Sequence, residues 1–172
     1  LAEGISNADG IIGRPGGADL NFADSRARFY GGPKVGDLVI ANRPMLAGIW
    51  THVAVSRDEE GVFRVFLDGE LDSTGTKTFL GGFSNLDLGR TTPPQEGTHG
   101  DLFEFRVWDY PRSNIEIRSD FRRRLSPQPK GLVNLFPQGG DATKLQGGAR
   151  IIPLASSPKL LDKTTAARQE EE

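Results

Sequence analysis

IWTHVAVSRDEEGVFRVFLDGE, residues 49–70, decides the fold. From Thr51 to Val55 and again from Val62 to Leu67, β-branched and aromatic residues crowd two short runs, and the polar segment Arg57 to Gly61 separates them. Side chains of this kind fit a pleated, half-buried surface, so the stretch reads as a β-hairpin. Asp68-Gly69 is a residue pair that tolerates positive φ. It places a second tight reversal before Glu70 and makes a meander the simplest topology.

Further along, Phe103, Phe105 and Val107 alternate with Glu104 and Arg106, so Leu102 to Trp108 is expected to be a strand with one face packed and the other in solvent. Shorter strand candidates are Asp19 to Phe22, Ala27 to Tyr30, Leu38 to Ala41, Thr78 to Leu80 and Leu86 to Leu88, each bounded by Gly, Pro, Asn or Asp. With 22 Gly and 11 Pro between such runs, regular short strands joined by turns indicate an all-β antiparallel sandwich or barrel. One helix is expected from Ser113 to near Leu125. Ser113 and Glu116 form an S-x-x-E capping box, and Ile117, Phe121 and Leu125 make one apolar stripe. Asp120 is spaced to pair with Arg124, and Ser126-Pro127 supplies the stop.

The remaining composition narrows the function classes. At 172 residues the chain fits one domain plus a tail. A net charge of -2 supplies no global field toward polyanions or toward an acidic membrane surface, so nucleic acid is not an expected partner. Without cysteine there is no disulfide framework, thiolate nucleophile or thiolate zinc site. No apolar run reaches the roughly 18 residues of a transmembrane segment. The opening LAEGISNADG lacks the basic and apolar regions of a signal peptide, so any export signal of a parent protein is expected outside this chain.

The hairpin resembles the central hairpin of laminin-G-like (LamG) domains of the concanavalin A-like lectin superfamily. Their pattern of W-x-H-V-A, a variable turn and an aliphatic-Asp-Gly reversal is matched by Trp50, His52, Val53, Ala54, Leu67, Asp68 and Gly69. LDLGR at 86–90 and GDLFEFRVWDYPRSNIEI at 100–117 are similar to the later strands and closing helix of the same family, in the same order. The resemblance covers roughly residues 10–125 and implies a jelly-roll sandwich over residues 1–127, followed by a tail or linker at 128–172. It also implies that the opening strands of the sandwich are missing. ATKLQGGARIIP at 142–153 resembles such an opening strand, which leaves three readings of the tail: a rearranged completion of the sandwich, the start of a following module, or a linker. GLVNLF at 131–136 is a further apolar run able to pair at an open edge.

Catalysis finds little support. Glycoside hydrolysis needs two carboxylates facing one cleft, and the related glucanases carry them in an E-x-D-x-x-E strand motif that is absent here. Asp58, Glu59 and Glu60 read as a solvated turn. His52 reads as a structural, hydrogen-bonded histidine, since no serine or carboxylate is evident as its catalytic partner. GRPGG at 13–17 lacks the Lys-Ser/Thr ending of a phosphate-binding loop. The resemblance places Trp50 and Trp108 in strands where the family buries aromatics, so they are expected in the core rather than stacked on a sugar, and Arg118, Arg122, Arg123 and Arg124 read as a solvated helix face.

The binding candidates are loop residues. Gln95, Glu96, Thr98 and His99 lie in the segment 91–100, at the rim where the resemblance places variable recognition loops. The resemblance also allows one rim calcium ion. Its oxygen ligands would come from among Asp19, Asn21, Asp37, Asp87 and Asp101, none of which sits in a dense acidic motif. The expectation is therefore a recognition or adhesion module of a secreted, cell-surface or periplasmic protein, with a glycan, a protein or another domain of its parent chain as partner. The second reading is a structural spacer in a multidomain extracytoplasmic enzyme or electron carrier. The third is a polysaccharide hydrolase or lyase.

Overall fold

In the computed structural model, which describes residues 5–7, 9–13, 17–82, 87–88, 101–125 and 129–136, strands dominate. In chain order they are β1 (Gly10–Gly13), β2 (Asp19–Ala23), β3 (Arg26–Tyr30), β4 (Asp37–Ile40), β5 (Val53–Arg57), β6 (Val62–Leu67), β7 (Glu70–Thr78), β8 (Asp87–Leu88), β9 (Phe105–Trp108) and β10 (Leu132–Phe136). A short helix, α1 (Asn114–Asp120), precedes β10. The strands form a five-stranded sheet in the order β4-β3-β2-β1-β8, a three-stranded sheet β5-β6-β7 and a pair β10-β9. All pairings are antiparallel, so the chain is an all-β sandwich with one short helix.

The deciding hairpin forms in the register its pattern requires, with Val53 opposite Leu67 and Val55 opposite Val65. Asp58 closes the turn by accepting from Val62 N–H at 2.8 Å and from Arg64 Nη1 at 2.7 Å. Those contacts hold its carboxyl below the usual value, the Arg64 hydrogen bond first. The second reversal also holds: Asp68 (φ 52) and Gly69 (φ 83) both take the left-handed conformation of a two-residue hairpin turn. Asp24 and Ser25 do the same between β2 and β3, at φ 50 and 61.

Between the two larger sheets, Ala27, Leu38, Val39, Ala41, Phe63, Val65 and Leu67 form one buried cluster, flanked by Phe29, Met45, Val53 and Val55. Phe29 and Phe63 stack at 5.1 Å, joining β3 of one sheet to β6 of the other. Phe66, on the opposite face of β6, is also fully buried. At one side the sheets nearly merge: Ser73 Oγ donates to the Ile40 carbonyl and Asp72 accepts from Asn42 N–H. Gly75 permits this approach, since a Cβ there would run into the Leu38 carbonyl oxygen.

Several expectations are corrected. The strand expected at Leu102 begins only at Phe105, because Glu104 sits at φ 52 and breaks the extended run. Glu104 and Arg106 do not face solvent; they pair at 3.0 Å with side chains 10% and 12% exposed. Of the segment expected as a strand from Thr78 to Leu80, only Thr78 is in a strand, as the last residue of the nine-residue β7; Phe79 and Leu80 follow it outside any strand. The polar sequence ELDSTGTKT hides that strand, since every one of its positions is exposed or half-buried. The helix keeps both halves of its capping box but ends at Asp120, with Phe121 as C-cap. Arg106 caps that end, donating to the carbonyls of Asp120 and Arg123. Asp120 pairs with Arg112 at 2.6 Å and not with Arg124. The run at 131–136 supplies β10, paired with β9, while the strand candidate at 142–153 lies outside the described residues.

Replacing Gly75 by Ala is expected to lower unfolding stability by about 2 kcal/mol or more, through displaced β4 or β7 backbone. Gly82→Ala, at a site with open space, should change it by less than about 0.5 kcal/mol. Urea denaturation of the two variants side by side measures the difference.

Candidate functional site

The face of the five-stranded sheet turned away from the core is polar. Pairing sets this arrangement: Ala27 and Phe29 point inward, so Arg26, Arg28 and Tyr30 point outward. On β2 their opposite numbers are Ala23, Asn21 and Asp19. Asp37 on β4 faces Tyr30, and Gly13 on β1 faces Asp19. Tyr30 thus stands between Asp19 and Asp37 in one row across the sheet.

Arg28 organises this face. Its Nε donates to Asn21 Oδ1 at 2.8 Å, its Nη1 lies 3.5 Å from Asp37 Oδ1, and its guanidinium sits 5.3 Å from the centre of the Tyr30 ring. Asp19 and Asn21 are buried, whereas Asp37 keeps 43% of its side chain exposed. A fixed guanidinium, an aromatic ring and an accessible carboxylate side by side can offer donors, a π-face and acceptors to one polar ligand. Sequence reasoning found the strands but did not single out Arg28 or Tyr30, because which residues point away from the core is set by register with β2 and β4.

The candidate ligand residues of the sequence lie in different places. Gln95, Glu96, Thr98 and His99 are outside the described residues. Of the calcium candidates, Asp37 is engaged by Arg28, Asp101 is exposed, and Asp87 opposes Gly13 in the backbone register. Among the described residues no three His, Cys, Asp or Glu side chains gather as a metal-holding group. Beside Asn21 and Asp37, the position a cation would take is filled by the Arg28 guanidinium.

Trp50 departs from expectation: it is 45% exposed, with its ring edge-on to Phe103 at 6.5 Å. Trp108 is half-buried, with Tyr110 against its edge at 5.9 Å and Arg112 over its face at 3.9 Å. Arg112 belongs to a network with Glu116 and Asp120 that the sequence did not reveal. The charged helix face is partly engaged: Arg118 pairs with Glu70 at 3.1 Å, Arg122 lies over Phe121, and Arg124 lies over Phe103.

His52 is packed, with its ring 5.7 Å from Phe121. Its N–H donates to Asp68 Oδ1 at 3.1 Å and its carbonyl accepts from Asp68 N–H at 2.9 Å. The hydrogen-bonded imidazole expected from sequence is not found at Nδ1, which is buried without a hydrogen-bond partner. Burial first, and the nearby Arg106 charge second, push the imidazole down to about 4, against a smaller upward pull from Asp68. Burial alone would raise Asp68, but hydrogen bonds from Arg43 and His52 N–H outweigh it and hold the carboxyl low.

Comparison with known proteins agrees with the fold. Residues 7–118 match the Laminin_G_3 family model, described as the concanavalin A-like lectin/glucanases superfamily, and the chain belongs to that family. A protein of Bacteroides ovatus ATCC 8483, provisionally described as carbohydrate binding, shares the fold at TM-score 0.69 and 21% identity, over 85% of this chain and 45% of its own. An S-layer domain-containing protein of Clostridium thermocellum ATCC 27405 is more distant, at TM-score 0.33 and 19% identity over 60% of this chain and 55% of its own. In sequence, 42% of the chain is 32% identical to sushi, von Willebrand factor type A, EGF and pentraxin domain-containing protein 1 of Rattus norvegicus. The match spans 2% of that protein. Among the described residues no helix is long and apolar enough to cross a membrane.

A histidine kept neutral by the fold but free to charge when unfolded makes stability fall with acidification. The contribution is complete above the unfolded value of about 6.5 and is lost as pH falls toward about 4. The expected loss across that window is roughly 2 to 3 kcal/mol. Asp68 and Asp120, both held low, lose their contributions only at still lower pH. Denaturant titrations from pH 7 to 4 should show this slope in the parent chain and a flatter one in His52→Gln.

Proposed function

We propose that this chain is a non-catalytic recognition module of a larger secreted or cell-surface protein, and that it binds a glycan across the polar face of the five-stranded sheet. The observation that carries this reading is Arg28, fixed by Asn21 and Asp37 beside the Tyr30 ring. A sugar presents hydroxyls around its edge and C–H groups on its faces, so it is met by rigid polar groups flanking an aromatic ring. Arg28, Asp37 and Tyr30 supply that combination on a sheet, where little side-chain entropy is lost on binding. Gln95, Glu96, Thr98 and His99, which lie outside the described residues, are proposed as further ligand contacts.

Hydrolysis is less well served. Its two carboxylates must open onto one cleft, whereas Asp19 is buried and Asp37 is turned to Arg28 across Tyr30. The provisional description of the Bacteroides ovatus protein agrees with a glycan ligand. The several domain types in the rat protein's name, and the small share of it matched, agree with one module among many.

A glycan array probed with the full chain, followed by calorimetry on the strongest ligand, tests the proposal. Tyr30→Ala and Arg28→Gln should each weaken binding about tenfold, the size of one aromatic or charge-assisted contact. Undiminished affinity in both variants would place the site elsewhere, and turnover of any arrayed polysaccharide would make the module an enzyme.

A further inference from the structure

A second surface has a different chemistry. Between β4 and β5, residues 46–50 read Leu-Ala-Gly-Ile-Trp, five consecutive exposed residues. Leu46 is 66%, Ile49 62% and Trp50 45% exposed, and Leu102 beside Phe103 adds another side chain at 45%. Gly48 has φ +77 and, among the described residues, nothing within 4 Å of where its Cβ would be, so the loop has open space at this position. The base is secured by Met45, which packs against the core and whose N–H donates to the Ser25 carbonyl at 2.8 Å. Four large apolar side chains gathered on one projecting rim mark a contact surface.

From tip to base the chemistry changes in order. Aliphatic Leu46 and Ile49 are the most exposed of these side chains, the Trp50 indole is less exposed, and its edge meets Phe103. Arg124 then lies 5.6 Å from the centre of the Phe103 ring, next to exposed Arg122 and Arg123. Among the described residues none of these three arginines is in an ion pair with a carboxylate. At the loop's other foot is Arg43, 53% exposed and paired with Asp68. Asp101 is an exposed acidic residue in the same region.

We infer that this loop docks on a lipid bilayer bearing anionic headgroups, with Leu46 and Ile49 entering the acyl boundary, Trp50 at the interface and Arg122, Arg123 and Arg124 against the headgroups. Aliphatic side chains make no hydrogen bonds to sugar hydroxyls, which sets this surface apart from the sheet face. A bilayer accepts exposed apolar side chains without shape complementarity. An indole behind an apolar tip and basic groups behind the indole reproduce the polarity gradient of a membrane interface.

The test uses the 172-residue chain in co-sedimentation with vesicles of phosphatidylcholine and phosphatidylglycerol at 3:1, and with phosphatidylcholine alone. Binding to the anionic vesicles should exceed binding to the neutral ones by at least about tenfold and fall as salt rises. The double variant Leu46→Ser/Ile49→Ser should lose at least about tenfold, as should Arg122→Glu/Arg123→Glu/Arg124→Glu. A blue shift of tryptophan emission on binding should vanish in Trp50→Ala. Circular dichroism of each variant confirms folding, and the Tyr30 and Arg28 variants should bind vesicles as the parent does. The inference is overturned if the chain stays in the supernatant with both vesicle types. It is equally overturned if the Leu46→Ser/Ile49→Ser pair leaves vesicle binding intact, or changes only self-association in sedimentation velocity, which would make the loop a protein interface.

Discussion

Everything in this molecule is arranged around β6, a strand that must be covered on both faces. Phe63, Val65 and Leu67 point toward the five-stranded sheet and Phe66 points the other way, and all four are within 2% of complete burial. A lone hairpin cannot shield such a strand in water. The first face is met by Ala27, Phe29 and Val39 from β3 and β4, which holds the two sheets in one stack. Each fully buried apolar side chain of this size contributes about 2 to 3 kcal/mol, so no single polar contact in the structure rivals the strand as a whole.

The closing helix is tied to this frame by polar contacts more than by apolar area. Ile117 is its one buried residue. Arg106 reaches from β9 to the carbonyls at its C-terminal end, and Arg112 spans from the Trp108 ring to Asp120. These shielded charges are tolerable because each has an opposite charge or a carbonyl in reach; removing one partner would leave the other desolvated. The same region keeps His52 neutral, since Phe121 covers the imidazole and Arg106 opposes its protonation. Packing and charge are therefore coupled where the helix meets the Asp68-Gly69 reversal.

The two surfaces proposed for partners, both among the described residues, differ in chemistry. The outer face of β2, β3 and β4 is polar and preorganised by Arg28. The loop between β4 and β5 is apolar and projects. Both start from the same β4 strand, whose inward residues Leu38 and Val39 are buried, so a rigid core element supports each of them.

The sequence by itself determined the elements whose signals are local. The two apolar runs at 51–55 and 62–67, the Asp68-Gly69 reversal and the Ser113 capping box each depend on neighbours a few residues away. The family pattern carried by Trp50, His52 and Leu67–Gly69 was legible for the same reason. Tertiary structure decided whatever depends on register or on a distant partner. β7 shows no apolar alternation and exists because β6 needs a second neighbour. Glu104 and Arg106 alternate like solvent-facing residues, yet the end of α1 covers them. Trp50 sits in a motif that suggests packing, but the chain there leaves the sheet and carries the indole outward. Arg28 and Tyr30 became a candidate site only when pairing with β2 and β4 set Asn21, Asp19 and Asp37 beside them. Turn chemistry and apolar periodicity act over short stretches of chain, whereas the environment of a charged or aromatic side chain depends on residues brought near by folding.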